Sequence, residues 1–440
     1  MKALILKLKK KLRTSRWWNS KLARTFIPRS NFAKNVLTLS SGTLLAISIT
    51  FITTPIFSRM FTPGDYGILS VFTSLVALIT ALATLRFETA IVLPKKDKEA
   101  VDLIFVSFVF LSIISLFSLV ILTLFNKFIS GIVFTPSIAR WLYLVPLQVF
   151  ILGGISILTS WHNRKKQYKK ISIANALQSF TGALTKFSLF YVLSPAFALI
   201  SSGIFAHFSS LFILSIREIS KIRSFFRPDF WKRFPLIVKK YKRFGFLGIS
   251  SFINSLSNQV IPIFMALYFT KEDIGHYSMS RTVLNLPIAV FALALNKVVY
   301  ARLGEKSSNG EKIKSFVLKN LALSAFLGLF VFGPIVLSGP FIFSFVLGSS
   351  WALAGSFAQI LSPWLFVTFV LTPVSSVMFV ENRQDLHLGY NFLLLLGRIL
   401  ILFFAGLSQN IISGLIGLSI WGVLINLLYI FVVYKLVDSK

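Results

Sequence analysis

The stretch Pro55–Ser70, PIFSRMFTPGDYGILS, returns in the second half of the chain as Pro262–Ser278, PIFMALYFTKEDIGHYS. In both copies a Pro-Ile-Phe triplet leads into the pattern Phe-Thr-x-x-Asp-x-Gly-x-x-Ser. The second copy carries one extra residue before its Phe-Thr. Asp65 and Asp273 can cap the helix that follows, and Gly67 and Gly275 read as residues that permit a tight turn. Each copy joins the first and second of six long apolar runs. Six is even, so both halves cross a bilayer in the same sense. That is a parallel repeat, related by an axis along the membrane normal, and it suggests two rocking lobes around a central cavity.

The runs around the motif are continuous rather than alternating, which favours helices over a membrane β-barrel. Twelve spans are expected, at roughly 36–58, 66–86, 101–125, 138–160, 171–191, 196–216, 244–268, 276–300, 315–337, 352–380, 386–407 and 411–434. A span needs about 20 apolar residues. The fold class is an all-α polytopic membrane protein with two six-helix lobes. Its segments are a basic tail (1–34), a first lobe (35–216), a basic linker (217–243), a second lobe (244–434) and a short C-terminus (435–440). The tenth span carries Pro363 and Pro373 and is expected to kink.

Composition narrows the function. The chain is 55% hydrophobic with a mean hydropathy of +0.78, yet its net charge is +32. It is too apolar for a nucleic-acid-binding protein, and its basic residues fall in short clusters between apolar runs. The odd-numbered loops hold only Arg59, Lys127, Arg140 and Lys271, while the tail, the even-numbered loops and the C-terminus hold nearly all the rest. That asymmetry places both termini in the cytoplasm. In the tail, Leu4, Leu8 and Leu12 recur among lysines ahead of Trp17 and Trp18, the pattern of a helix lying on an anionic leaflet. The alternative is a basic tail that only enforces topology. The linker, with Arg223, Arg227, Arg233, Lys239 and Lys240, can likewise hug anionic headgroups. There is no Cys and no P-loop motif. The four His are scattered and read as structural or interfacial.

Three cations remain within spans: Lys186, Arg281 and Arg398. A charge at mid-membrane costs roughly 2.5–3.5 kcal/mol on insertion scales, and it normally faces a cavity and a counter-charge. Carboxylates are nearly absent from the spans; Glu88, Asp102 and Glu381 fall at their inner edges. The repeat supplies a control, because Arg59 answers to Leu267, Arg86 to Ala294 and Arg281 to Thr73. The lobe architecture does not demand these arginines. An anionic ligand would supply the missing charge, and arginine's planar fork suits phosphate. Glu88 stands beside Arg86 as a pairing partner, and Asn254 and Asn258, with Gln259, are candidates for sugar hydroxyls.

The segments NVLTLSSG (35–42), PIFSRMFTPGDYG (55–67), LRFETAIVLPKKDKEA (85–100), GSSW (348–351), AQILSPW (358–364) and LTPVSSVMFVENRQ (371–384) resemble the Wzx-type polysaccharide flippases. These belong to the multidrug/oligosaccharidyl-lipid/polysaccharide exporter superfamily. The resemblance implies a transporter, not an enzyme, with twelve helices in two lobes. It implies export of polyprenyl-diphosphate-linked oligosaccharides (O-antigen, capsule or exopolysaccharide units) across the bacterial inner membrane, alongside a polysaccharide polymerase and glycosyltransferases. It also implies diphosphate contacts from arginines of the first, second and eighth helices, the positions of Arg59, Arg86 and Arg281. Lys186 and Arg398 are assigned from depth alone. A lipid II flippase and a cation-coupled drug exporter are the alternatives. No cofactor is expected, and the coupling ion, H⁺ or Na⁺, is left open.

Overall fold

The structure, a computed structural model, describes residues 31–132, 136–224, 229–308, 314–373, 377–380 and 383–438. The tail pattern around Leu4 to Trp18, Arg227 and Glu381 lie outside the described residues. Among the described residues the long helices are, in order, α1 (Asn31–Met60), α2 (Pro63–Ala83), α3 (Asp97–Leu124), α4 (Val145–Arg164), α5 (Tyr168–Phe190), α6 (Pro195–Ser215), α7 (Lys242–Tyr268), α8 (Lys271–Ser308), α9 (Lys314–Leu347), α10 (Ala352–Leu371), α11 (Gln384–Leu407) and α12 (Ile411–Asp438). Among the described residues, nine of these regions are long and apolar enough to cross a membrane. The three helices outside that group are α5, α7 and α8. They carry Lys186, the Asn254/Asn258/Gln259 stripe and Arg281.

The repeated motif builds the same cap twice. Thr62 Oγ1 accepts from the Asp65 amide at 3.3 Å, and Asp65 Oδ2 accepts from the Thr62 amide at 2.9 Å. In the second copy Thr270 Oγ1 accepts from the Asp273 amide at 3.2 Å, and Asp273 Oδ2 accepts from the Thr270 amide at 3.3 Å. Each reciprocal pair satisfies two amides that open a helix and would otherwise lack partners.

The glycines of the motif do something other than turn the chain. Gly67 and Gly275 lie inside α2 and α8, where the two helices cross. A Cβ on Gly67 would sit 1.8 Å from the Lys271 carbonyl oxygen, and one on Gly275 would sit 1.7 Å from that of Pro63. The two repeats therefore meet face to face, backbone against backbone, as small residues allow in membrane helix pairs. Other bonds between the halves gather at the same end. Trp351 Nε1 donates to the Ser58 carbonyl at 2.7 Å, Ser58 Oγ donates to the Leu347 carbonyl at 2.8 Å, and Tyr66 meets Trp351 edge to face at 5.4 Å.

Proline positions also differ from expectation. The kink falls in α9, where Ser338 leaves helical geometry between Pro334 and Pro340. The tenth span does not continue to residue 380. Helix α10 ends at Leu371, two residues before Pro373, and a separate turn of helix spans Val377–Val380. Thr372 still holds helical φ/ψ, and Pro373 has no N–H with which to continue the ladder.

At the opposite, basic end, the linker contains the helix Phe230–Lys240, which docks on α3. Phe230 and Phe234 pack on Phe105 and Phe110. Arg233 pairs with the buried carboxylate of Asp102 and also with Asp229, while Lys240 and Tyr241 both donate to Glu99. The bond to Glu99 holds the Lys240 ammonium above its ordinary pKa. Trp231 and Leu236 remain exposed on the other side of this helix.

Two outcomes test the packing. Gly67→Val is expected to lower the thermal midpoint of the solubilised protein by several degrees, whereas Gly203→Ala, where a Cβ meets nothing within 4 Å, should leave it unchanged. Equal midpoints would contradict the crossing. Arg233→Ala strands the Asp102 carboxylate and should cost about 3 kcal/mol; adding Asp102→Asn should recover part of the loss. An unchanged unfolding midpoint in Arg233→Ala would show that the clamp carries no stability.

Candidate functional site

A cavity of about 910 Å³ lies between α2, α4, α7 and α11. Its wall comes from the basic-end halves of these helices. Helix α2 contributes Thr80 and Thr84, α4 contributes Ser156, α7 contributes Asn254, Asn258 and Gln259, and α11 contributes His387 and Asn391. The α7 residues recur at helical spacing, so one face of that helix turns amides toward the cavity. They are organised rather than loose. Asn258 Nδ2 donates to Asn254 Oδ1 at 3.1 Å, and Asn254 Nδ2 donates to Asn391 Oδ1 at 3.2 Å. Thr80 Oγ1 is buried on this wall without a hydrogen-bond partner, so the wall retains unused capacity for a polar guest.

Arg86 and Glu88 complete the wall at the end of α2. The chain leaves α2 through two consecutive residues in left-handed geometry, Leu85 (φ 46°) and Arg86 (φ 62°). Such conformations cost of order 1–3 kcal/mol each for residues other than glycine. Helix α7 makes room for the turn at Gly248, where a Cβ would come within 3.3 Å of the Leu85 backbone. The result swings Arg86 to the cavity with its side chain 44% exposed, while Glu88 beside it is only 4% exposed. Glu88 Oε2 accepts from Thr84 Oγ1 at 2.5 Å, and Oε1 lies 3.8 Å from the Arg86 guanidinium. The carboxylate placed by sequence at a span edge is therefore buried in the cavity wall.

Arg281 and Arg398 form a second group, off the wall. Their guanidinium carbons lie 5.7 and 5.1 Å from the centroid of the same indole, Trp364. Arg398 is buried, donating to the Ser257 carbonyl and, at 2.8 Å, to Ser257 Oγ. Ser257 is the neighbour of the cavity residue Asn258 on α7. Arg281 is half-buried, and its Nη1 contacts the Tyr277 hydroxyl at 3.3 Å. Among the described residues, neither arginine forms an ion pair with a carboxylate. Arginine stacked on an aromatic face remains charged while partly desolvated.

Arg59 and Lys186 are set apart from both groups. Arg59 ends α1, is exposed, and donates to the Phe345 carbonyl at 3.0 Å in the seam between the halves. Lys186 lies one turn from the end of α5 at Phe190, with its ammonium 5.4 Å from the Phe57 ring centroid. The structure brings Arg86, Glu88, Asn254 and Asn258 together, adjoins Arg398 to them through Ser257 of α7 with Arg281 on the same indole, and leaves Arg59 and Lys186 at the other end.

Sequence reasoning missed His387, Asn391 and Trp364. His387 lines the cavity and lies 3.2 Å from the Tyr429 hydroxyl, while His162 and His207 bond within the helix packing. The available signal was the i, i+4 pair His387/Asn391, which shares one face of α11.

Two further openings lie among the helices, one apolar and one polar. One, of about 790 Å³, lies between α1, α8 and α9, with Phe51, Ile52, Pro287 and Phe330 in its wall. A smaller polar pocket lined by Thr43, Thr50, Asn175 and Gln178 shares Ile47 and Leu286 with it.

Residues 56–355 match the family described as Polysaccharide biosynthesis protein. An "Uncharacterized membrane protein in cps region" of Klebsiella pneumoniae is 22% identical over 409 residues, 90% of this chain and 80% of that protein. The "Succinoglycan biosynthesis transport protein ExoT" of Rhizobium meliloti (strain 1021) is 21% identical over 331 residues, 74% of this chain and 64% of that protein. Among solved structures, lipid II flippase MurJ in an inward closed conformation aligns with a TM-score of 0.71 at 14% identity, covering 92% of this chain and 90% of that one. An inward-facing multidrug resistance MATE family transporter of the MOP superfamily aligns at 0.69 and 13% identity, covering 89% of this chain and 95% of that one. These likenesses establish the fold, a helical membrane bundle of the kind used by transporters rather than enzymes. The chain is a multi-pass membrane protein that shares its fold with those MurJ and MATE structures, and it belongs to the polysaccharide biosynthesis protein family.

Proposed function

We propose that this protein moves a polyprenyl-diphosphate-linked oligosaccharide from the inner to the outer leaflet of a bacterial cytoplasmic membrane. Both termini lie in the cytoplasm on this reading, and the two six-helix halves act as lobes. The observation that carries it is the pairing of Arg281 and Arg398 on one indole, without a carboxylate partner among the described residues, beside a cavity rich in amides and hydroxyls. Buried charge is costly without a counter-charge, and a diphosphate is a counter-charge that arrives with the cargo. Arg86 and Arg281 are the guanidiniums assigned to it. Asn254, Asn258 and Asn391 meet sugar hydroxyls, because amides both donate and accept. Arg398 holds α7 at Ser257 and adds to the positive field.

The apolar groove between α1 and α8 suits the polyprenyl tail, and its shared border with the polar pocket at Ile47 and Leu286 suits the junction between tail and head. The seam at Gly67 and Gly275 is then the side that must part for release. The Klebsiella and Rhizobium relatives support a polysaccharide cargo by their names, and the MurJ likeness supports the fold for moving a lipid-linked one. Arg59, donating to a backbone carbonyl in the seam, is assigned to closure rather than to diphosphate.

Arg281→Ala is expected to lower export of the lipid-linked sugar about tenfold or more, the scale of losing a charge-assisted hydrogen bond, at equal abundance in the membrane. Normal export by that variant would contradict the assignment. Rescue of cells depleted of their lipid II flippase would instead favour a peptidoglycan precursor as cargo.

A further inference from the structure

We propose that Glu88 is a resident counter-anion, which occupies Arg86 when the cavity is empty and yields it to the cargo's diphosphate. The inference rests on the functional reading above and adds how binding is kept moderate. Among the residues that line the cavity, Glu88 is the single acid. It is nearly buried, yet its partner Arg86 is not: the side chains are 4% and 44% exposed. The carboxylate is held from behind, because Thr84 Oγ1 donates to Oε2 at 2.5 Å. Its other oxygen faces Arg86 at 3.8 Å, beyond hydrogen-bond distance. One partner is thus anchored and the other open to the cavity, and the contact between them is long.

That geometry is unlike the clamp on the linker helix, where Arg233 is pressed onto Asp102 and most of both side chains is covered. A structural pair is closed; the Arg86–Glu88 pair is open on the cation's side, toward the cavity. The left-handed turn at Leu85 and Arg86 fixes the backbone beneath, so the guanidinium exchanges partners by side-chain rotation alone. An incoming phosphate oxygen then competes with Glu88 Oε1 for the same donors. Fork geometry favours the phosphate when it is present. Glu88 favours departure, because the cation left behind is never without an anion. Arg281, with no carboxylate partner among the described residues, exerts no such pull.

The test uses the full-length protein in nanodiscs of uncharged lipid, with inorganic pyrophosphate as probe and affinity read by titration calorimetry. Glu88→Gln should bind pyrophosphate about fivefold tighter than wild type, equivalent to roughly 1 kcal/mol. The gain should vanish in an Arg86→Ala background, and vesicle translocation of a diphosphate-linked sugar by Glu88→Gln should be slower. Glu88→Asp, which withdraws the carboxylate while keeping the charge and fold, should fall between the two. Equal affinity of Glu88→Gln and wild type, or a gain that persists without Arg86, overturns the counter-anion role and leaves the functional reading intact. Failure of the wild type to bind pyrophosphate at all overturns the functional reading, and this inference with it.

Discussion

Two guanidiniums against one indole set the terms for the rest of this molecule. Arg281 and Arg398 sit at mid-depth in a helical bundle, and Arg398 is almost fully removed from solvent. Water scarcely reaches Arg398, and hydrocarbon can solvate neither charge. The protein offers Arg398 a carbonyl and a hydroxyl, and Arg281 a phenol. Those dipoles make the charges tolerable without cancelling them. The surplus persists beside a polar cavity, and it is the physical basis for proposing an anionic guest. The arrangement also disfavours cationic drugs, which need a negative pocket.

The repeat supplies the mechanical counterpart. Its two copies build matching caps and then press their glycines together, so the halves are joined where their sequences agree. Away from that seam the copies diverge, and the divergent residues carry the charge. Arg86 has an alanine at the equivalent position, and Arg281 a threonine. Symmetry therefore serves the hinge-like scaffold, and asymmetry serves the site. The linker belongs to the scaffold as well, since its helix is tied to α3 by Arg233 and Lys240 rather than spanning freely between halves.

How much of this was legible in the sequence depends on the range of the interactions. The caps at Thr62/Asp65 and Thr270/Asp273 were readable, because donor and acceptor lie three residues apart. The order of the helices was readable from apolar run length. The role of Gly67 was not, because the carbonyl it must clear belongs to Lys271, far along the chain; local pattern suggested a turn instead. The break after Leu371 was hidden for a related reason, since Pro373 is as compatible with a kink as with a stop. In the site, the cations were conspicuous by their rarity in spans. Their grouping was not, because Trp364 and Ser257 are ordinary span residues until folding sets them beside Arg398. Glu88 was seen, but adjacency to Arg86 in sequence did not reveal that it is buried while Arg86 is open. Arg59 was ambiguous for a complementary reason: in sequence a span-end arginine looks the same whether it faces a cavity or reaches a carbonyl across a seam.

The central claim is that the cationic interior recognises the anionic linkage of its cargo. The most direct measurement compares translocation, in protein-containing vesicles, of one oligosaccharide carried on two anchors: a polyprenyl diphosphate and an uncharged lipid of equal length. The account predicts that only the diphosphate-linked sugar crosses at a rate above protein-free vesicles. Equal rates for the two anchors would contradict it.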